Sequence, residues 1–196
     1  MDLNSVAVGL AGVLAASGPV VFAAIGETIT ERAGVINLSV NGTILLSAMG
    51  GFAVAVTTGS LLLGFVAGGV IGGLVALLVA FSSITLRQSQ VAVGFVLTLV
   101  CRDLAYFLGN PFMGAAGPRL STLTIPGLSR IPVIGTILFN QDLMTYASFI
   151  LIGCSWFFIF RTRPGLALRS VGERPAAAHS RGIAVNRLRY LYTVLG

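Results

Sequence analysis

Long apolar runs, separated by short polar stretches, dominate the chain. No charged residue occurs from Leu3 to Gly26, from Ala33 to Leu86 or from Leu143 to Phe160. A helix needs about 20 apolar residues to cross a bilayer. The run that starts at Ala33 is too long for one crossing, so it predicts two spans, with the turn at Thr57–Ser60.

A further span is predicted from Val91 to Leu108. Arg102 and Asp103 lie within it, towards the end where long side chains can reach the interface, so we expect a local ion pair. Tyr190–Gly196 predicts the start of another span. A helix cut inside a membrane would leave carbonyls unpaired, so we expect the chain to be part of a longer polypeptide, truncated at its C-terminus. The predicted fold is an all-α integral membrane protein, a polytopic helical bundle with about five complete spans plus the start of a sixth.

Composition agrees with a bilayer environment. The chain of 196 residues is 56% hydrophobic and only 9% charged, whereas soluble domains carry about 25% charged residues. Seven of its 12 basic residues, all arginines, lie in residues 161–189, which carry +6, equal to the net charge of the chain. We call residues 161–189 the basic segment. Basic loops stay cytosolic, so we expect this segment inside, close to anionic lipids, and the N-terminus and the connector 109–142 outside. The sequence does not show the basic surface interleaved with aromatic residues that is typical of nucleic-acid binding, so no nucleic-acid partner is predicted.

Two polar stretches follow the first predicted span. Glu27, Glu31 and Arg32 form either a solvated helix end or a gate or docking contact, and the solvated end is favoured. The next stretch, residues 34–42, is costly in lipid. It indicates either a broken or re-entrant helix that lines a pathway or polar side chains that bind neighbouring helices. The candidate pathway residues are Asn37, Ser39, Asn41 and Gly42.

Glycine spacing predicts close helix packing in the span after Ser60. Gly64, Gly68 and Gly72 recur every four residues and therefore share one helix face, with Gly69 and Gly73 beside it. This is a packing signal and indicates no chemistry.

The basic segment contains a predicted short helix. Pro175 suits its first turn and Gly182 its end, with Glu173 at the positive end of the helix dipole and Arg181 at the negative end. So short a helix is marginal alone in water, which favours a protein partner on the cytosolic side. His179 is the only histidine, and no cysteine or carboxylate stands at metal-ligand spacing from it. Nothing around it looks like a nucleophile paired with a base, so no enzyme activity, metal site or cofactor is predicted.

Three motifs resemble one family. Gly26–Leu38 is similar to the signature GE-x-x-x-ERAGV-x-NL, and Ile125–Ser129 with Ile131–Gly135 resembles an external loop. A cytosolic coupling region is resembled by Arg161–Arg163 with Gly165–Arg169, Val171–Glu173, Pro175 and Gly182–Ile183. The family is that of the inner-membrane permease subunits of ABC importers for ribose, branched-chain amino acids and nucleosides. The likeness is greatest to the nucleoside and simple-sugar branch. This chain has Ser39 and Asn41 where members often carry glycine and an acidic residue.

The resemblance implies a single transmembrane permease domain, 1–196, in a bacterial inner membrane. It implies a coupling helix near Arg174–Arg181 that docks on an ABC ATPase subunit, together with a second permease subunit and an external solute-binding lipoprotein. The implied coupling residues are Gly172, Glu173, Arg174, Pro175, Ala176, Ala177, Ala178, His179, Arg181 and Gly182. The expected function is ATP-driven import of a nucleoside or related small polar solute.

Three alternatives remain open from the sequence. An ion-coupled secondary transporter would want carboxylates near the midplane, and the long spans lack them. An intramembrane enzyme would need a Ser–His or paired-Asp site, and the only histidine is in the basic segment. An inactive, truncated permease remnant is the third alternative.

Overall fold

The computed structural model describes residues 3–118, 120–124 and 134–196. The loop motif at 125–129 and most of the motif at 131–135 lie outside the described residues. The helices are α1 (Leu3–Arg32), α2 (Val40–Thr58), α3 (Leu61–Ala80), α4 (Gln90–Gly109), α5 (Ile134–Leu138), α6 (Leu143–Arg161), α7 (Arg163–Glu173), α8 (Pro175–Ser180) and α9 (Val185–Leu195). A π-helical turn, Phe81–Thr85, extends α3, a 3-10 turn, Asn110–Phe112, extends α4, and two short strands are β1 (Thr122–Thr124) and β2 (Asn140–Asp142).

Within the described residues, five helices are long and apolar enough to cross a membrane: α1, α2, α3 with its π turn, α4 with its 3-10 turn, and α6. This confirms the predicted all-α polytopic class. The turn between α2 and α3 falls at Gly59, as predicted, because its left-handed φ of 70° ends α2, and Ser60 then caps α3 by accepting from the Leu63 amide. Arg102 and Asp103 form the expected ion pair, with Nε and Oδ1 3.1 Å apart.

Helix α1 continues through the polar stretch that follows Gly26. It stops because Gly34 takes φ +80°, which lets the amides of Gly34 and Val35 turn back to the carbonyls of Glu31 and Thr30. These paired bonds satisfy carbonyls that the helix end would leave open. The chain is non-helical up to Ser39, as a broken helix requires. Helix α2 then runs on for 19 residues, which is long enough to cross a membrane.

Helices α2 and α3 pack through small residues on both sides. A Cβ on Gly64 would lie 2.8 Å from the Gly51 carbonyl oxygen, and one on Gly68 would lie 3.1 Å from the Ser47 carbonyl oxygen. A Cβ on Gly69 would meet nothing within 4 Å. The predicted glycine face is therefore the contact face, and Gly69 lies outside it.

The described residues fall into two compact units. The first combines residues 1–24 with 119–157. In it β1 pairs antiparallel with β2, with Thr122 opposite Asp142. Asp142 then caps α6, because its Oδ1 accepts from the Thr145 amide at 2.8 Å and from the Thr145 hydroxyl at 2.6 Å.

The second unit combines residues 25–118 with 158–196. Its buried core joins Ala33 at the end of α1, Ile159 in α6, Leu168 in α7 and Tyr192 in α9. Thr85, in the π turn after α3, is hydrogen-bonded to the Tyr190 hydroxyl of α9. The end of α1, the end of α3 and the basic segment therefore lie at one end of this unit, as alternation of the predicted spans requires.

Candidate functional site

The link between α1 and α2, residues 33–39, is an irregular segment whose backbone is held by side chains. We call it the α1–α2 linker. The Ile36 amide donates to Gln90 Oε1 at 2.9 Å, and the Asn37 amide donates to Glu27 Oε1 at 3.2 Å. The Leu38 carbonyl accepts from the Thr98 hydroxyl at 2.7 Å. Side chains of α1 and α4 thus supply the partners that a regular helix would supply from its own backbone.

Asn37 closes the linker from within. Its Oδ1 accepts from the Ser39 amide at 3.0 Å and from the Ser39 hydroxyl at 2.6 Å. The Ser39 carbonyl in turn accepts from the Thr43 amide and hydroxyl, both at 2.9 Å. The linker is therefore a defined structure that leads directly into the first turn of α2.

The start of α2 lies tightly against α4. A Cβ on Gly42 would be 2.7 Å from the Thr98 Cα, and a Cβ on Gly94 would be 2.8 Å from the Leu38 Cβ. Only glycine fits at these two close approaches. The contact fixes the linker between α1 and α4.

The structure separates the four candidate pathway residues. Ser39 and Gly42 are buried, and Asn37 is half-buried. Asn41 is exposed. Ser39 and Gly42 therefore act in packing, and of these four residues Asn41 is the one whose side chain is exposed.

Glu27 is less exposed to solvent than the predicted solvated helix end would make it. Glu31 is exposed, but Glu27 is half-buried, and its Oε2 is buried without a hydrogen-bond partner among the described residues. Its carboxylate holds the Asn37 amide ten residues further along the chain. Gln90 and Thr98 were also missed as partners of the linker, and the only signal for them was polarity within or beside an apolar span.

The basic segment folds as two short helices and the start of α9. The expected short helix is α8, which begins at Pro175, whereas Glu173, expected at its positive end, is the last residue of α7. The break falls at Arg174, whose φ of −141° and ψ of 75° are not helical. A residue before proline is disfavoured in the helical region, which is the physical reason for the break.

The end of α8 agrees with the sequence. Gly182 takes φ +80°, and the amides of Gly182 and Ile183 bond to the carbonyls of His179 and Ala178. Ala178 is buried, whereas Ala176, Ala177 and His179 are exposed. Helix α8 thus buries Ala178 against the rest of the chain, and its exposed side carries two alanines and His179.

Helix α7 contacts the α1–α2 linker directly. A Cβ on Gly172 would lie 3.0 Å from the Arg32 carbonyl carbon and 3.3 Å from the Gly34 amide nitrogen. Arg189 Nε of α9 donates to the Ala33 carbonyl at 3.2 Å. The basic segment and the linker therefore share a backbone-to-backbone contact with no side chain between them. We call this contact the Gly172–Gly34 joint.

Comparison with known proteins places the chain in a family. Residues 9–196 match the family described as "Branched-chain amino acid transport system / permease component". The chain is 36% identical to the putative glucose ABC transporter permease protein TsgC13 of Haloferax volcanii over 89% of its length and 54% of that protein. It is 32% identical to the nucleoside ABC transporter permease protein NupC of Lactococcus lactis over 98% of its length and 64% of that protein.

A third relative is the guanosine ABC transporter permease protein NupQ of Bacillus subtilis, 32% identical over 89% of this chain and 59% of the relative. The chain thus spans between half and two thirds of the length of these curated relatives. No solved structure matches it. The family match over nearly the whole chain agrees with the spans that the structure contains: the chain is a multi-pass membrane protein that belongs to the family of branched-chain amino acid transport system permease components.

Proposed function

We propose that the chain is the membrane-spanning permease subunit of an ATP-driven ABC importer for a nucleoside or related small polar solute. The proposal draws on the names of its relatives, which describe permeases for nucleosides, guanosine and glucose. In this proposal the subunit carries out no chemistry itself. ATP is hydrolysed in a separate subunit, and a second permease subunit and an external solute-binding lipoprotein complete the transporter.

The Gly172–Gly34 joint is the observation that carries the proposal. ATP binding would close the ATPase subunits and move α8, and α7 moves with α8 because one residue, Arg174, joins them. At the joint the backbones are already within contact distance. A displacement of α7 therefore reaches the α1–α2 linker without passing through flexible side chains.

Helix α8 is the proposed docking element for the ATPase. Its exposed residues, Ala176, Ala177, His179 and Ser180, are small or flat, so a groove in a partner can close over them. Between α7 and α8 lies a groove of about 420 Å³ with four charged residues in its lining, Arg163, Glu173, Arg174 and Arg181. Charges around an apolar centre favour a defined orientation of the partner.

The solute pathway is proposed to pass the exposed Asn41 at the start of α2. The amide side chain can donate and accept hydrogen bonds, as a polar solute requires. Movement of the linker would reposition Asn41, because Asn41 is in the first turn of α2, two residues after the linker ends. The connector 109–142 is the proposed external docking site of the lipoprotein, with the N-terminus on the same side of a bacterial inner membrane.

A co-purification experiment tests the docking element. Ala177→Glu places a charge on the exposed face of α8 and keeps a good helix former. We expect an ABC ATPase to co-purify with the wild-type chain and to be lost from this variant. Gln88→Glu is the matched control, since it adds the same charge at another exposed position at this end of the unit. Equal recovery of the ATPase with Ala177→Glu and wild type would remove α8 from the proposal.

A further inference from the structure

Two arginines of the second unit share one aromatic ring. The Cζ atom of Arg32, the last residue of α1, lies 5.6 Å from the centroid of the Phe160 ring. The Cζ atom of Arg169, in α7, lies 5.5 Å from the same centroid. The two guanidinium groups are therefore no more than about 11 Å apart. Each gains a cation–π contact, but the two positive charges repel each other.

This charge is not balanced within the part of the chain that the structure describes. Among the described residues, no carboxylate lies within 4.0 Å of Arg32 or Arg169. The Nε of Arg169 is buried and has no hydrogen-bond partner among these residues. The Nε itself is covered by protein, so an anion would bind the terminal nitrogens of the two guanidinium groups, whose charge has no carboxylate partner among these residues.

The depth of the pair decides which anion fits. Arg32 ends α1 and Phe160 is the penultimate residue of α6, and both helices are candidate membrane spans. The ends of spans lie at the level of the lipid headgroups. Arginine matches phosphate oxygens with its planar fork of donors. A docked cytosolic protein would have to reach into the headgroup layer, whereas a lipid phosphate is already there.

We propose that Arg32 and Arg169, arranged around Phe160, form a binding site for the phosphate of an anionic phospholipid such as phosphatidylglycerol. The site is distinct from the exposed face of α8 and does not depend on an ATPase. Its lipid would neutralise the two guanidinium groups and hold the end of α1 against α7, beside the Gly172–Gly34 joint.

Trp156 offers a direct probe of the site. It is the only tryptophan of the chain and precedes Phe160 by four residues in α6, about 6 Å along the helix axis. The wild-type chain is reconstituted in phosphatidylcholine bilayers that contain increasing fractions of acyl-brominated phosphatidylglycerol, and quenching of Trp156 is compared with that by brominated phosphatidylcholine. We expect preferential quenching by phosphatidylglycerol, and high salt should abolish the preference because the attraction is electrostatic.

The variants locate the preference. Arg32→Gln and Arg169→Gln should each lower the selectivity for phosphatidylglycerol about fivefold, the effect of one basic residue near an anionic surface. Arg102→Gln removes the same charge from the Arg102–Asp103 pair and should leave the selectivity unchanged. Soluble glycerol 3-phosphate should not compete, and abolition of the preference by it would assign the site to free phosphate instead. A wild-type chain without lipid preference, or an unchanged preference in a double variant that combines Arg32→Gln with Arg169→Gln, would overturn the proposal. If the variants fail to fold, the wild-type measurement still tests the proposal, because a preference that high salt leaves unchanged would overturn it.

Discussion

Gly64→Ala tests the packing that sets the distance between α2 and α3. The new Cβ would lie 2.8 Å from both the Gly51 carbonyl oxygen and the Ala55 Cβ, whereas ordinary contact begins at 3.4 Å. The helices must separate by about 0.6 Å to admit it. The atoms in the way are backbone and a methyl group, which cannot rotate aside. Overpacking of this kind costs about 1–3 kcal/mol.

Gly69→Ala is the matched control on the same helix. A Cβ there meets nothing within 4 Å, and alanine favours a helix over glycine by about 0.5–1 kcal/mol. We therefore expect this variant to be as stable as the wild type or slightly more so. The same methyl group should thus have opposite effects at two positions five residues apart.

The free energy of unfolding of the purified chain in detergent micelles measures both effects, with Trp156 fluorescence followed during denaturant titration. Gly64→Ala should unfold at lower denaturant concentration than the wild type, and Gly69→Ala should not. Equal stability of Gly64→Ala and wild type would refute the close packing of α2 on α3. Equal destabilisation by both substitutions would show that the loss comes from the methyl group itself and not from the contact face.

The linker gives three more predictions. Gly172→Ala should push α7 away from the α1–α2 linker, lower the free energy of unfolding by about 1–3 kcal/mol and lower ATP-dependent uptake per inserted chain. Unchanged uptake would exclude the Gly172–Gly34 joint from coupling. Thr98→Val removes the donor to the Leu38 carbonyl and should destabilise the chain by about 0.5–1.5 kcal/mol in the same micelle titration, whereas Thr98→Ser, which keeps the hydroxyl, should restore most of the loss. Asn41→Leu should leave the free energy of unfolding within about 0.5 kcal/mol of the wild type but change the KM for solute uptake. Ser39→Ala, which loses a buried hydrogen bond to Asn37, should lower the free energy of unfolding and leave the KM unchanged. An unchanged KM in Asn41→Leu together with a changed KM in Ser39→Ala would remove Asn41 from the pathway.

The spans could be predicted from the sequence because lipid imposes one simple rule. A charge-free run such as Leu143–Phe160 has to be a helix of nearly that length, and α6 differs from the run by one residue, Arg161. The glycine face of α3 was equally predictable, because a spacing of four residues determines which side chains share a face. The glycine spacing does not identify the helix that packs against that face, since several spans could have done so.

The linker shows where the sequence was insufficient. Its irregular backbone was predictable from the cost of Asn37 and Ser39 in lipid, but its partners were not. Glu27 lies ten residues before the Asn37 amide that it holds, and Gln90 lies 54 residues after Ile36. Contacts over such separations depend on how the helices pack, which local patterns do not contain.

The boundary between α7 and α8 depends on a local steric signal. The pattern Glu173–Arg174–Pro175 carries its own signal, because proline disfavours helix in the residue before it. Glu173 ends α7 and lies two residues before Pro175, the first residue of α8, so the charge and the steric restriction act at different residues. A steric exclusion of this kind decides a helix boundary more strongly than a surface charge does.

ATP-dependent uptake tests the central proposal most directly. The chain is reconstituted in vesicles with the proposed ATPase, second permease and solute-binding partners, and uptake of a labelled nucleoside is measured with ATP inside the compartment that the basic segment faces. We predict uptake that requires hydrolysable ATP, is blocked by vanadate and is lost in the Ala177→Glu variant but not in Gln88→Glu. Uptake that proceeds without ATP and collapses with an ionophore would contradict the account and favour an ion-coupled transporter.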